Sequence, residues 1–272
     1  MKLFSKTCLV LIGVCILTAS CKRENVATLN EVSPTALQKI KAQGFSTDNV
    51  RKVENGYLVE GDIILTEENL NAQSTSPNLL IASDEQYRTT NLVKALPRTI
   101  TVSVSGTLSG LAVWSNATDA LISRYNALNL TVTFQRVASG GNVDIIGFDQ
   151  GPSGGYITLG SSGFPTAAGD PYNQIKMNTN IQAYGANPNQ GYITSVLQHE
   201  MGHCIGFRHT DYFNRALSCG GSKSNERAGT IGAILIPGTP SGFDAESFML
   251  ACSAGTDRTF NSNDVIALNY LY

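Results

Sequence analysis

The three histidines of this 272-residue chain all fall within eleven residues, as His199, His203 and His209 in the spacing HExxHxxGxxH, with Glu200 and Gly206 between them. Chance would set five such residues at these spacings on the order of once in a million trials. At about 100° per residue, His199 and His203 lie one turn apart on one face of a helix, so both imidazoles reach the same ion. Glu200 is one step around the barrel, too far off axis to be a third ligand but able to contact a water on the metal. His209 would fall on the far side if the helix continued. The helix must therefore stop first, and Gly206, without a Cβ, supplies the left-handed residue that closes it and turns the chain back.

The rest of this helix agrees. Ile193, Val196, Leu197, Met201 and Ile205 form a broad apolar arc, with Cys204 on it as a small buried hydrophobe, and the histidines occupy a separate edge. Three neutral imidazoles leave the charge of a zinc ion unneutralised and one coordination position open, which marks a catalytic rather than a structural site. The expected ligands are His199, His203 and His209 around one Zn2+. Glu200 is the expected general base, taking a proton from water and handing it to the departing amine of a cleaved peptide bond.

The long motif resembles that of the metzincin zinc peptidases, and the string HEMGHCIGFRHTD, His199 to Asp211, is similar to the dual-action HEIGH metallopeptidase family within or near that clan. The resemblance implies a Met-turn beneath the metal, and Met249, in Ser247-Phe248-Met249, is its candidate. Several metzincins carry a Tyr two residues after that Met; this chain has Ala251, so no oxyanion helper is assigned. The implied fold is α+β: a twisted, mixed five-stranded sheet, two long helices above the cleft, and an irregular lower subdomain ending in a C-terminal helix.

Apolar alternation predicts strands near Ile100–Val104, Thr131–Val137, Val143–Ile146, Tyr156–Leu159 and Gln174–Met177. A helix is predicted from about Ala117 to Leu128, capped by Ser115 or Asn116, and a last one after Asn261 or Asn263. Under the resemblance, the fourth strand, Gly155–Gly160, is the free edge along which an extended substrate pairs. From Thr210 to Thr259 the chain is rich in Gly, Ser and Pro, and a loop this long forms a functional wall or has no fixed structure.

The first twenty residues read as a signal peptide: Lys2 and Lys6 precede a short apolar run, Cys8 to Leu17, followed by Thr18-Ala19-Ser20-Cys21. That tetrad resembles a bacterial lipobox and makes Cys21 the expected lipidation site, with plain secretion as the alternative. The expected location is the periplasmic or outer face of a bacterial membrane. With Cys21 lipidated and Cys204 in the helix core, Cys219 and Cys252 remain as the expected disulfide, permitted by export.

Residues 21–98 read as a propeptide and linker before a catalytic domain at 99–272. Within them Thr35–Ala42 is an expected helix, Gly56–Leu65 an extended stretch and Asn71–Pro77 a polar linker. Leu58-Val59-Glu60-Gly61-Asp62-Ile63 is similar to the propeptide motif of astacins, which implies that Asp62 occupies the open metal position and keeps the enzyme latent. Read without that resemblance, Asp62 is a turn residue beside a strand. Activation would then require cleavage near Arg88, Lys94 or Arg98.

The whole chain carries 19 basic and 21 acidic residues, and loss of Lys2 and Lys6 with the signal moves its formal charge from −2 to −4. A mildly acidic chain is a poor nucleic-acid binder. The expected function is an exported zinc endopeptidase, a monomer, acting on protein or peptide. Two alternatives stand beside it: a surface-binding lipoprotein that keeps zinc without turnover, and a zinc amidase acting on a non-protein amide.

Overall fold

The computed structural model describes residues 32–72 and 86–272, except 154, 228–230 and 241–242. The signal segment and Cys21 lie outside the described residues, as do 73–77 of the expected linker. Among the described residues no helix is long and apolar enough to cross a membrane.

The N-terminal segment packs with the rest of the chain in one compact unit, Val32–Tyr272. Ser33 caps helix α1 (Pro34–Ala42), and β1 (Arg51–Val53), β2 (Gly56–Val59) and β3 (Ile63–Leu65) make an antiparallel sheet in the order β1-β2-β3. Helix α2 (Glu67–Asn71) follows, with Thr66 and Asn69 forming a reciprocal capping box. The stretch expected to be extended is thus a hairpin. Its β2–β3 turn runs through Glu60 and Gly61, both at positive φ, and delivers Asp62. Ile40, Phe45, Val59, Ile63 and Leu65 fill a small core, which Phe164 and Ile231 from the rest of the chain complete.

The main body is built on a five-stranded mixed sheet. Its strands are β5 (Arg98–Val104), β6 (Val132–Arg136), β7 (Val143–Phe148), β8 (Gly160–Ser161) and β9 (Gln174–Asn178), in the order β6-β5-β7-β9-β8. All neighbours are parallel except the antiparallel edge strand β8. Four strands lie where alternation put them. The fourth does not: no residue of Tyr156–Leu159 lies in a strand, and the ladder with β9 is confined to Gly160 and Ser161, with Leu159 O accepting one further bond from Asn178 N at 2.9 Å. Short-range alternation cannot register where a strand finds its partner, and here backbone pairing with β9 begins only at Leu159.

Two long helices pack on the sheet and on each other. Helix α3 (Ala112–Asn126) starts five residues before the expected Ala117; Leu111 precedes it without a side-chain cap, the chain entering from a 3-10 turn at Gly106–Leu108. Ser115 and Asn116, the expected caps, are therefore interior residues. The short α4 (Ile181–Tyr184) leads to α5 (Gln190–Ile205), capped by Asn189. Trp114, Leu121 and Tyr125 of α3 meet Ile193, Leu197 and Met201 of α5 in one core, and the Tyr125 hydroxyl donates to the Gln198 carbonyl at 2.9 Å.

Beyond α5 the chain is mostly irregular, and among the described residues α6 (Ala216–Cys219) and β10 (Ile234–Leu235) are the regular elements before α7 (Ser262–Leu271). Asn261 rather than Asn263 caps α7, in a box with Asp264. Strand β10 pairs with β4 (Tyr87–Arg88), and Gln86, Tyr87 and Val93 are buried. Residues 86–93 thus belong to the main body. The boundary expected at 98/99 falls inside packed structure, and Arg88 and Arg98 lie in strands rather than in an open stretch.

Candidate active site

Helix α5 ends where its sequence requires. Gly206 sits at φ 113° and caps α5 in the left-handed region, and the chain turns so that His209 comes back to face the helix it has just left. His203 and His209 Nε2 atoms lie 3.1 Å apart. The His199 ring stacks on His209 at 5.2 Å between centroids. The three rings therefore converge on one point.

Each ring is held from behind. His199 Nδ1 is 3.0 Å from the Phe248 carbonyl, His203 Nδ1 is 2.8 Å from the Phe207 carbonyl, and His209 Nδ1 is 2.6 Å from Glu226 Oε1. A carbonyl or carboxylate oxygen only accepts, so each Nδ1 carries the proton and each Nε2 turns its remaining position inward. Glu226 was not legible in the sequence. It is fully buried, takes Arg215 at 2.6 Å and Arg208 at 3.2 Å, and so ties His209 to two guanidinium groups.

Asp62 closes the fourth side. Its Oδ2 is 3.1 Å from His209 Nε2 and 3.9 Å from His199 Nε2, while Oδ1 is buried with no hydrogen-bond partner among the described residues. The turn that carries Asp62 is docked by the backbone: Ile64 N donates to Ser162 O at 2.7 Å and Ser162 N to Asp62 O at 3.0 Å, a parallel bridge to the edge of β8. One ligand atom from each of Asp62, His199, His203 and His209 lies within 4.8 Å of the others.

Electrostatics single out the same point. Burial, then the charge of His209, lowers His199 to about 4, and burial with both neighbouring rings puts His203 well below its usual range. Burial also works against His209, but Glu226 and Asp62 outweigh it and raise this ring to about 10. The acidic surroundings thus demand a positive charge at His209, beside two rings, His199 and His203, that prefer neutrality. An orphaned carboxylate oxygen and crowded inward nitrogens are a donor set that suits a divalent cation with nitrogen and oxygen ligands.

Glu200 is buried beside this point. Its Oε2 accepts from Ser162 Oγ at 2.7 Å, and that hydroxyl also lies 2.9 Å from the Glu200 carbonyl. Burial first, and then the Asp62 charge, pushes the Glu200 carboxyl well above its usual range. Ser162 is a second residue the motif did not announce.

Met249 is fully buried under α5, so close that a Cβ on Gly202 would sit 2.5 Å from its Sδ. Thr210 N donates to Met249 O at 2.9 Å and His199 Nδ1 to Phe248 O, so the turn at 247–249 supports two of the three rings or their neighbours. Asp264 holds that turn through Phe248 N and Ser247 Oγ, both at 3.2 Å. Cys219 and Cys252 form a disulfide on the cleft wall. Asp211, at the end of the motif string, accepts from Ala251 N at 2.9 Å and from Ser218 Oγ at 2.6 Å, next to that bridge.

A three-histidine centre on a helix that ends in a left-handed glycine, with a buried glutamate one residue after the first ligand, defines a metallopeptidase-type site. The model of the dual-action HEIGH metallo-peptidase family matches residues 57–272, and the chain belongs to that family. Its cofactor is zinc, and protein or peptide is its substrate class. No curated protein matches the chain. Among solved structures, two of myroilysin are similar, at 14% and 13% identity and TM-scores of 0.41 and 0.40. The first covers 66% of this chain and 82% of myroilysin, the second 89% and 97%. High choriolytic enzyme 1, a hatching-enzyme zinc-protease of the medaka fish Oryzias latipes, is similar at 15% identity and TM-score 0.37, over 64% of this chain and 88% of that one. Likenesses this distant leave the assignment resting on the family match and the site's own geometry.

Proposed function

We propose that the protein is an exported, lipid-anchored zinc endopeptidase made as a latent precursor, with His199, His203 and His209 as ligands, Glu200 as general base and Asp62 as the latency group. The observation that carries this reading is the convergence of three imidazoles, each fixed through Nδ1, on a point closed by a carboxylate from the N-terminal segment. Zinc held there supplies Lewis acidity, polarising the scissile carbonyl and lowering the pKa of a water.

The chain's own residues do the rest. Glu200 takes the proton of the attacking water and returns it to the leaving amine, while Ser162 Oγ keeps its carboxylate oriented. The edge of β8 offers backbone groups to an extended peptide, the ones that Asp62 and Ile64 now engage. Asp62 enforces latency by closing the position from which water would attack. Departure of the segment reopens it. Export and anchoring at Cys21 rest on the signal-like first twenty residues.

The test is cleavage of an unfolded protein by the zinc-loaded chain before and after limited proteolysis. Glu200→Ala should lower turnover of the processed enzyme by at least about a hundredfold with zinc content unchanged. Asp62→Ala should make the unprocessed chain active. Zinc-bound but inactive processed protein would overturn the peptidase reading, and a silent Asp62→Ala chain would overturn latency through Asp62.

A further inference from the structure

Beside the zinc ligands runs a cleft of about 380 Å³ whose charges are divided between the two parts of the chain. The main body contributes Arg215 and Arg258, with Glu200 as its one lining carboxylate. The N-terminal segment contributes Asp48, Glu60 and Asp62, with Arg51. The segment thus carries three acids into walls that are otherwise cationic.

The fit is closest at Glu60. Its side chain is only 4% exposed, and its Oε2 lies 3.7 Å from Arg215 Nη1. A carboxylate removed from water this thoroughly requires a cation or several donors, and Arg215 with the Ser46 N–H, at 2.8 Å, supplies them. Arg258, which lines the same cleft, makes no side-chain hydrogen bond or ion pair among the described residues, yet it lies near enough to His199 to influence it. When the segment leaves, Glu60, Asp62 and Asp48 leave with it. Arg215 keeps Glu226, Arg258 keeps no side-chain partner among the described residues, and the zinc would add further positive charge.

We propose that this cleft is a subsite for acidic side chains, in which Arg215 and Arg258 select peptides carrying Asp or Glu beside the scissile bond and Glu60 of the uncleaved chain stands in for such a residue. This rests on the peptidase reading above. The segment is then a template of the preferred substrate as well as a plug. Selection is electrostatic, and once the segment has left, both guanidinium groups line a cleft that opens to solvent, so it weakens as salt rises.

The experiment uses the full-length, zinc-loaded chain after limited proteolysis, with release of the segment confirmed by mass. It is given matched fluorogenic peptides that differ only in Glu, Gln or Lys at positions flanking the cleaved bond. The expected result is a kcat/KM for the best Glu peptide about tenfold above its Gln twin, carried mainly by KM, with Lys lowest. The Glu-to-Gln ratio should shrink toward unity at high salt, in Arg258→Ala and in Arg215→Ala. Because the ratio is internal to each variant, a general loss of activity through the Arg215 contact to Glu226 cancels. Arg215→Lys, which keeps the charge, should keep part of the preference. Equal cleavage of Glu and Gln peptides at every position overturns the acidic subsite while leaving the peptidase intact. Failure to cleave any peptide removes both.

Discussion

Glu226 shows how a metal centre depends on residues far from its motif. It receives the His209 Nδ1 proton at 2.6 Å and is itself clamped by Arg208 and Arg215, all inside the protein. Glu226→Gln keeps the shape but exchanges a charged acceptor for a neutral amide, so zinc affinity should fall by about 10- to 100-fold, read by chelator competition. An unchanged affinity would reduce Glu226 to a structural ion pair. The ligands themselves were legible because helical spacing brings neighbours in sequence together in space, and because one glycine dictates where the helix ends. Glu226 and Ser162 were not legible. One comes from a Gly- and Ser-rich stretch with no periodicity, the other stands just past a strand of two residues, and neither carries a local signal that ties it to the motif.

At the scale of elements, α7 reaches back to the site through Asp264. This carboxylate closes the capping box, holds Phe248 N, and accepts from Gln86 Nε2 at 2.7 Å. Burial raises it to about 7, despite those hydrogen bonds. Unfolded, it would titrate near its ordinary value of 3.8. The folded chain therefore binds the extra proton between about pH 4 and 7, and this group makes stability fall as pH rises through that window. Asp264→Asn should flatten that slope, measured as urea midpoints at pH 5 and 7.5. The amide is accommodated if Gln86 turns over, since its Oε1 now has no partner among the described residues. A slope identical to the parent's would show that Asp264 titrates normally. Helices α5 and α7 were readable from their apolar spacing and caps. The start of α3 and the shortness of β8 were not, because tertiary partners set them.

Across the whole molecule, the irregular half is fastened by the Cys219–Cys252 bond, which spans 33 residues and lines the cleft. Replacing both cysteines by serine should cost about 4 kcal/mol of stability by the loop-entropy argument, read by denaturant unfolding, and should raise KM more than it lowers zinc content. A loss well under about 1 kcal/mol would mean that Asp211 and its neighbours already hold the wall without the bond.

The small core of residues 32–72 is finished by Phe164 and Ile231, which belong to the main body. A segment of that size rarely sustains a core unaided, so its shape is on loan from the protein it covers. Under the proposed latency, severing the chain between them would act as a ratchet: the freed piece would lose its order and have to regain it before it could return. A synthetic peptide of residues 32–72 added to processed enzyme should restore inhibition only at concentrations far above those of the enzyme. Stoichiometric re-inhibition would show that the piece keeps its fold alone and that the step runs both ways.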